Sequence, residues 1–153
     1  MINKREKEFI VKEIVEKISS ILDTAGINHN MLELNNTTDP PEIVFTLKHD
    51  DGCTKDIVIM IEIDESLMLL KGFLDDYEIP KAKIPDAVLF CNTWNATHYM
   101  PQVYVIEEGN VGISWCNTIW NELPDEYIKD AMILTFARTA WQFFSEFLKE
   151  FLD

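Results

Sequence analysis

Three groups of side chains in this sequence could do chemistry. Cys91 and His98 could form a thiolate–imidazole pair, because a nearby imidazole lowers a thiol's pKa and makes it a nucleophile. On a helix, however, seven residues separate them by about 10 Å of rise, and no third group to orient the imidazole is identifiable. Cys91 therefore reads as a small buried apolar residue. Glu62 and Asp64 stand two apart on a strand, point to the same side, and could act as acid and base or bind a cation. They lie where the strand leaves the core beside a turn, which fits a solvated face. Asp50, Asp51 and Asp56 gather around Gly52 without the D-x-[DN]-x-[DN]-G order of a calcium loop, so they read as turn chemistry.

Nothing else in the chain resembles a reactive centre. His29, His49 and His98 share no metal-ligand spacing, and no H-E-x-x-H occurs. Gly-rich phosphate loops and a G-x-S-x-G elbow are missing, and five glycines in all leave little room for either. Cys53, Cys91 and Cys116 are an odd, widely spaced set, which argues for a reducing compartment over a disulfide framework. The expectation is a chain with no catalytic residue, no metal and no cofactor.

Charge narrows the partners. The formal net charge is −14, with −9 of it on residues 27 to 80, where three Lys/Arg face twelve Asp/Glu. Such a field repels phosphate backbones and anionic membranes, so neither nucleic acid nor a membrane is an expected partner, whereas a basic protein is allowed. The first residues are charged and lead into an amphipathic pattern with no signal-type apolar core. Apolar runs such as Ile57 to Ile61 are far too short to span a bilayer. A cytoplasmic protein is expected, and 153 residues suit a single domain.

The elements that would position these side chains are legible from periodicity. Phe9, Ile10, Ile14, Ile18, Ile21 and Leu22 form one helical face over residues 4 to 25, with Asn3 and Glu6 as a capping box and Gly26 as the stop. A short strand, Met31 to Leu34, precedes a loop. From Glu42 the period becomes two, with Ile43, Phe45 and Leu47 on one face. Asp50-Asp51-Gly52 makes a hairpin turn into a strand whose one face is Ile57, Ile59, Ile61 and Ile63. Asp64-Glu65-Ser66 turns the chain into a further strand, Leu67 to Leu74. Pro85 suits the first turn of a helix reaching about Thr97. Strands Gln102 to Glu107 and Val111 to Thr118 follow, joined by Glu108-Gly109-Asn110, and Pro124 opens a long helix to about Glu150. These elements predict an α+β fold: an antiparallel sheet of five to six strands with three helices.

On the last helix Thr135, Thr139, Gln142, Glu146 and Lys149 make one narrow polar strip. Phe136, Trp141, Phe143, Phe144 and Phe147 belong to the wide apolar arc around it. An arc this wide exceeds what covers one sheet face, so the first helix, a second subunit or a bound segment should cover the excess. A second subunit is preferred over packing within the chain, which makes the arc a candidate interaction surface and a homodimer the expected assembly.

The stretch FCNTWNATHYMP, residues 90 to 101, lies at the joint between the middle helix and the strand after it. Ala87, Phe90, Cys91 and Trp94 share a helix face, so Trp94 should anchor in the core with its indole N–H needing one acceptor. Asn92 and Asn95 should bond free carbonyls or fix the loop before Pro101, itself suited to a strand's first residue. Phe90, Asn92, Trp94, Asn95, Pro101 and Tyr104, with the Val103-Tyr104-Val105 strand, resemble the YbjN-like family of bacterial sensory transduction regulators. The order of elements over roughly residues 8 to 150 agrees, including the late phenylalanines. Gln102-Val103 departs from the basic residue and alanine usual there, which touches only the start of that strand.

The resemblance implies a fold similar to the small acidic chaperones of type III secretion. It also implies a non-catalytic regulatory or adaptor protein that acts by binding other proteins. The alternative it implies is a secretion-type chaperone holding an extended segment of a client protein. It carries no catalytic residue.

Overall fold

The structure is a computed structural model that describes residues 3–32, 40–48 and 55–152. The chain runs α1 (Lys4–Thr24), β1 (Asn30–Leu32), β2 (Glu42–Leu47), β3 (Ile57–Asp64), β4 (Leu67–Leu74), a 3₁₀ turn (Lys81–Lys83), α2 (Ile84–Thr97), β5 (Gln102–Val105) and β6 (Val111–Thr118). A last helical run comprises α3 (Asp125–Tyr127), a π-helical segment (Ile128–Leu134) and α4 (Thr135–Phe151). The six strands form an antiparallel sheet in the order β1-β2-β3-β4-β6-β5, an α+β fold with three long helical stretches. The Asp50-Asp51-Gly52 turn, His49, Cys53 and the end of the first expected strand, Glu33-Leu34, lie outside the described residues.

Two compact units divide the chain. The first takes Met1–Phe45, Met60–Leu70 and Cys116–Thr135. Its helix α1 starts on a capping box: the Asn3 side chain accepts from the Glu6 N–H at 3.0 Å, and Glu6 accepts from the Asn3 N–H at 2.9 Å. It ends in a Schellman turn, with Gly26 at φ +73° and the Ile27 N–H donating to the Leu22 carbonyl at 2.9 Å. Ile14, Val15, Ile18, Ile21 and Leu22 are its buried stripe, and α1 packs against the π-helical segment. β1 pairs with β2 through Asn30–Val44 and Met31–Ile43. The Ser66 carbonyl, in the turn between β3 and β4, accepts from the Ile119 N–H at 2.8 Å.

The second unit takes Thr46–Ile59, Lys71–Trp115 and Phe136–Asp153. Gly72 in β4 is the contact point for α4. A Cβ there would lie 2.9 Å from Ile113 Cγ2 and 3.5 Å from the Phe144 ring, so only glycine lets them close. β5 ends at Val105, two residues short of the expected Glu107. The cause is a tight turn in which Ile106 donates to the Asn110 carbonyl at 2.7 Å and Gly109 sits at φ +89°. Asn110 Nδ2 then donates to the Leu74 carbonyl at 2.9 Å, fixing this turn against the end of β4.

The apolar arc of α4 is covered within the chain. Phe136, Phe143, Phe144 and Phe147 are fully buried. Within the second unit Phe90 of α2 packs edge-on against Phe147 and Phe151 at 5.6 and 5.7 Å between ring centres, and Trp94 meets Phe143 at 5.1 Å. Tyr77 adds a further edge contact to Phe147 and donates its hydroxyl to the Phe151 carbonyl at 2.6 Å. The covering that the arc required is therefore an intramolecular aromatic cluster. Of the five arc residues expected to form an interaction surface, Trp141 alone reaches solvent, at 42 % exposure.

Candidate functional site

The helix–strand joint is built around Asn95. Its Nδ2 donates to the Val103 carbonyl at 2.8 Å and its Oδ1 accepts the Val103 N–H at 2.9 Å. β5 is an edge strand, and Val103 stands opposite Ile113 with both its backbone groups turned away from β6. The Asn95 amide thus occupies the place of a missing neighbouring strand and closes that edge to pairing at this residue. Asn92, by contrast, is exposed, and Pro101 is buried just before β5 begins. Tyr104 pairs with Gly112, and its ring lies over that glycine: an added Cβ would meet Tyr104 Cε2 at 2.8 Å.

Trp94 is buried as its helix face requires, and His98 stacks on it at 3.9 Å with ring planes 6° apart. Its indole N–H is buried without an acceptor among the described residues, contrary to the expectation of one partner. The His98 Nδ1 lies 3.0 Å from the Trp94 carbonyl and 2.9 Å from the Thr97 hydroxyl, so this ring is tied to the helix end. Cys91 faces the core, and burial pushes its thiol up to about 11, opposite to what a nucleophile needs. Asp64 is exposed at the β3–β4 turn, beside Glu62 on the same strand face. No group of three or more His, Cys, Asp or Glu able to hold a metal ion occurs among the described residues.

Two concavities among the described residues bear on function. In the second unit a cavity of about 540 Å³ lies between α2 and the end of α4, with Leu89, Phe90, Trp94 and Phe151 among its walls and Lys83, Asp86, Glu146 and Glu150 at its polar margin. In the first unit a groove of about 500 Å³ runs between α1, the β3–β4 turn and the segment after β6. Ile14 and Ile119 form its buried floor, while Ile10 and Trp120 wall it at 37 % and 50 % exposure. Glu13, Glu65 and Glu122 line it, and Lys7 is paired with Glu65 at 2.9 Å.

The segment after β6 holds its shape by bonds from α1. Lys17 Nζ donates to the Asn121 and Leu123 carbonyls, both at 2.6 Å, and Asn121 Nδ2 donates to Glu13 at 3.2 Å. Trp120 is thereby held on a fixed stretch of chain. Sequence reasoning missed this groove, because its walls are 50 or more residues apart in the chain and Trp120 belongs to no periodic face. The available signal was a tryptophan in a connection, outside every apolar stripe.

The sequence matches the YbjN family over residues 15–149. The chain belongs to the YbjN family. The description attached to that family is "Putative bacterial sensory transduction regulator". The fold agrees with that of a solved YbjN: the crystal structure of YbjN from E. coli, described as "a putative transcription regulator", superposes with a TM-score of 0.55. The two share 12 % sequence identity, and the alignment covers 86 % of each chain. None of the curated proteins matches the chain. The YbjN-family match takes in the Asn95–Val103 joint and the aromatic cluster up to Phe147, while the first turns of α1, with Lys7, Ile10 and Glu13, precede it and Phe151 follows it.

Proposed function

We propose that this YbjN-family chain is a non-catalytic regulatory protein whose output is made by binding another protein. The observation that carries this reading is the groove on the first unit, where a half-exposed Trp120 and Ile10 stand over a buried apolar floor. Tryptophan at a concave, partly apolar surface is the residue type most often found at the energetic centre of protein interfaces. The high thiol pKa of Cys91 supports the non-catalytic half of the reading, since a protonated thiol is a poor nucleophile.

A secretion-type chaperone drew support from the chain's size, its low pI and the apolar arc of α4 as a client surface. Phe136, Phe143, Phe144 and Phe147 are internal, so the arc offers no client surface. Self-association through the same arc loses its motive for the same reason.

Immobilised full-length chain, exposed to lysate of the source cell, tests the reading. Expected is one protein retained at close to equal amounts with the bait and released by competing free chain. Recovery of the bait alone, at lysate concentrations well above micromolar for abundant proteins, would contradict it.

A further inference from the structure

We propose that the groove formed by α1, the β3–β4 turn and the segment after β6 takes a basic amphipathic helix from a partner protein. This inference rests on the protein-binding function proposed above and names the chemistry of the partner. Three features of the groove carry it.

The apolar part has the right form for a helix face. Ile10 and Trp120 stand at the surface of the groove, and Ile10 also lines a second concavity of about 470 Å³, shared with Phe9, which is 62 % exposed. The apolar surface therefore continues along α1 from one concavity into the next. Two adjoining hollows along one helix suit apolar side chains spaced one or two turns apart on a partner helix, the i, i+4, i+7 pattern of helix-in-groove recognition.

The polar margin has one dominant sign. Glu13, Glu65 and Glu122 line the groove with one cation, Lys7, which is held by Glu65 at 2.9 Å, and the adjoining hollow adds Arg5 and Glu6, whose charges offset. A partner carrying Lys or Arg beside its apolar stripe gains complementary pairs at the rim and is steered by the chain's −14 charge. A second copy of this chain, at −14, brings the same overall sign of charge to that rim, which favours a different protein as the occupant.

The groove is preformed. The bonds from Lys17 to the Asn121 and Leu123 carbonyls, from Asn121 to Glu13, and from Ile119 to the Ser66 carbonyl hold its walls before any partner arrives. A preformed site spends less of its binding free energy on ordering itself. Strand addition at β5 is a poorer alternative, because Asn95 already occupies both backbone groups of Val103.

The test uses the full chain and three synthetic peptides of equal length. One is an amphipathic helix with leucines at i, i+4 and i+7 flanked by lysines; the second replaces the lysines with glutamates; the third scrambles the basic sequence so that no apolar face forms. Amide spectra of isotope-labelled protein report the site. Expected is saturable binding of the first peptide alone, with shifts confined to Lys7–Ile14, Glu65–Ser66 and Ile119–Glu122.

Trp120→Ala should weaken it by about thirty-fold, as loss of an interface anchor does. Glu13→Gln with Glu122→Gln should weaken it several-fold and flatten its salt dependence, with thermal midpoints of both variants close to that of the parent. Equal binding of the basic and acidic peptides, shifts centred on the α2–α4 cavity, or unchanged affinity of both variants would overturn the inference. So would retention of a cellular partner equally by the parent and by Trp120→Ala, an outcome that leaves the protein-binding function standing; retention of no partner by either would count against both.

Discussion

The side-chain amide of Asn95 makes a two-bond bracket on the backbone of Val103, giving a hydrogen bond at 2.8 Å and taking one at 2.9 Å. A helix end thereby supplies what a neighbouring strand would supply to the edge of the sheet. The most distinctive stretch of the sequence thus serves the fold's construction.

Replacing Asn95 tests the bracket. Asn95→Ala leaves an N–H and a carbonyl without partners at a half-buried edge, and is expected to cost about 1–3 kcal/mol in urea unfolding. It should also raise self-association, seen by light scattering, because the edge is opened to pairing. Asn95→Asp keeps the acceptor for the Val103 N–H but sets a carboxylate against the Val103 carbonyl. Its deficit should shrink as pH falls and the carboxyl gains a proton to donate. A deficit independent of pH would contradict the bracket.

The Tyr104 ring over Gly112 gives a second expectation. Gly112→Ala places a methyl 2.8 Å from the ring and should destabilise by about 1–3 kcal/mol, the usual range for overpacking. In a Tyr104→Ala background the same change should cost much less, and a double-mutant cycle measures the difference. Additive effects would show that the ring is not what excludes the side chain.

Burial of Cys91 has a consequence at alkaline pH. Its thiol is raised from about 9 to about 11 in the folded chain, so between those values the unfolded chain has lost a proton that the folded chain keeps. The unfolded state then binds fewer protons, and stability falls with rising pH, by about 1.4 kcal/mol per unit for one such group. Below pH 9 the full stability is present. Unfolding of Cys91→Ala and of the parent at pH 8 and pH 10.5 should show a steeper loss in the parent. Alkylation at pH 8 should label exposed Cys116 quickly and Cys91 only on unfolding.

Much of the fold was legible because single residues decide it locally. Asn3, Glu6 and Gly26 fix both ends of α1, and Ile57, Ile59, Ile61 and Ile63 lie on one buried face of β3, as their alternation requires. The π-helical segment was not legible. Ile128, Met132, Phe136 and Ala140 are buried at an unbroken spacing of four through it, which also fits an ordinary helix. The segment's local sign, the Thr135 hydroxyl donating to the Asp130 carbonyl five residues back, is a three-dimensional fact. The width of the α4 arc was legible, and it was read as calling for a second subunit as cover. What supplies that cover, Phe90 and Tyr77 among others, depends on chain segments far away in sequence.

The groove was illegible for the same reason. Ile10, Glu65 and Trp120 carry no shared spacing, and only folding of the first unit puts them around one hollow. Asn95 was legible as a residue that should bond free carbonyls or fix the loop before Pro101; its choice of both backbone groups of Val103 required the edge position of β5.

The central claim is that this chain works by binding a protein through the groove at Trp120. The most direct measurement is a side-by-side capture from source-cell lysate with the full-length parent and with Trp120→Ala, at 0.15 M and at about 0.5 M salt, where charge pairs at a rim are strongly screened. The expected result is one protein bound by the parent at low salt, lost from the variant and retained in smaller amount at high salt. An equal catch by both chains, or none by either, would contradict the claim.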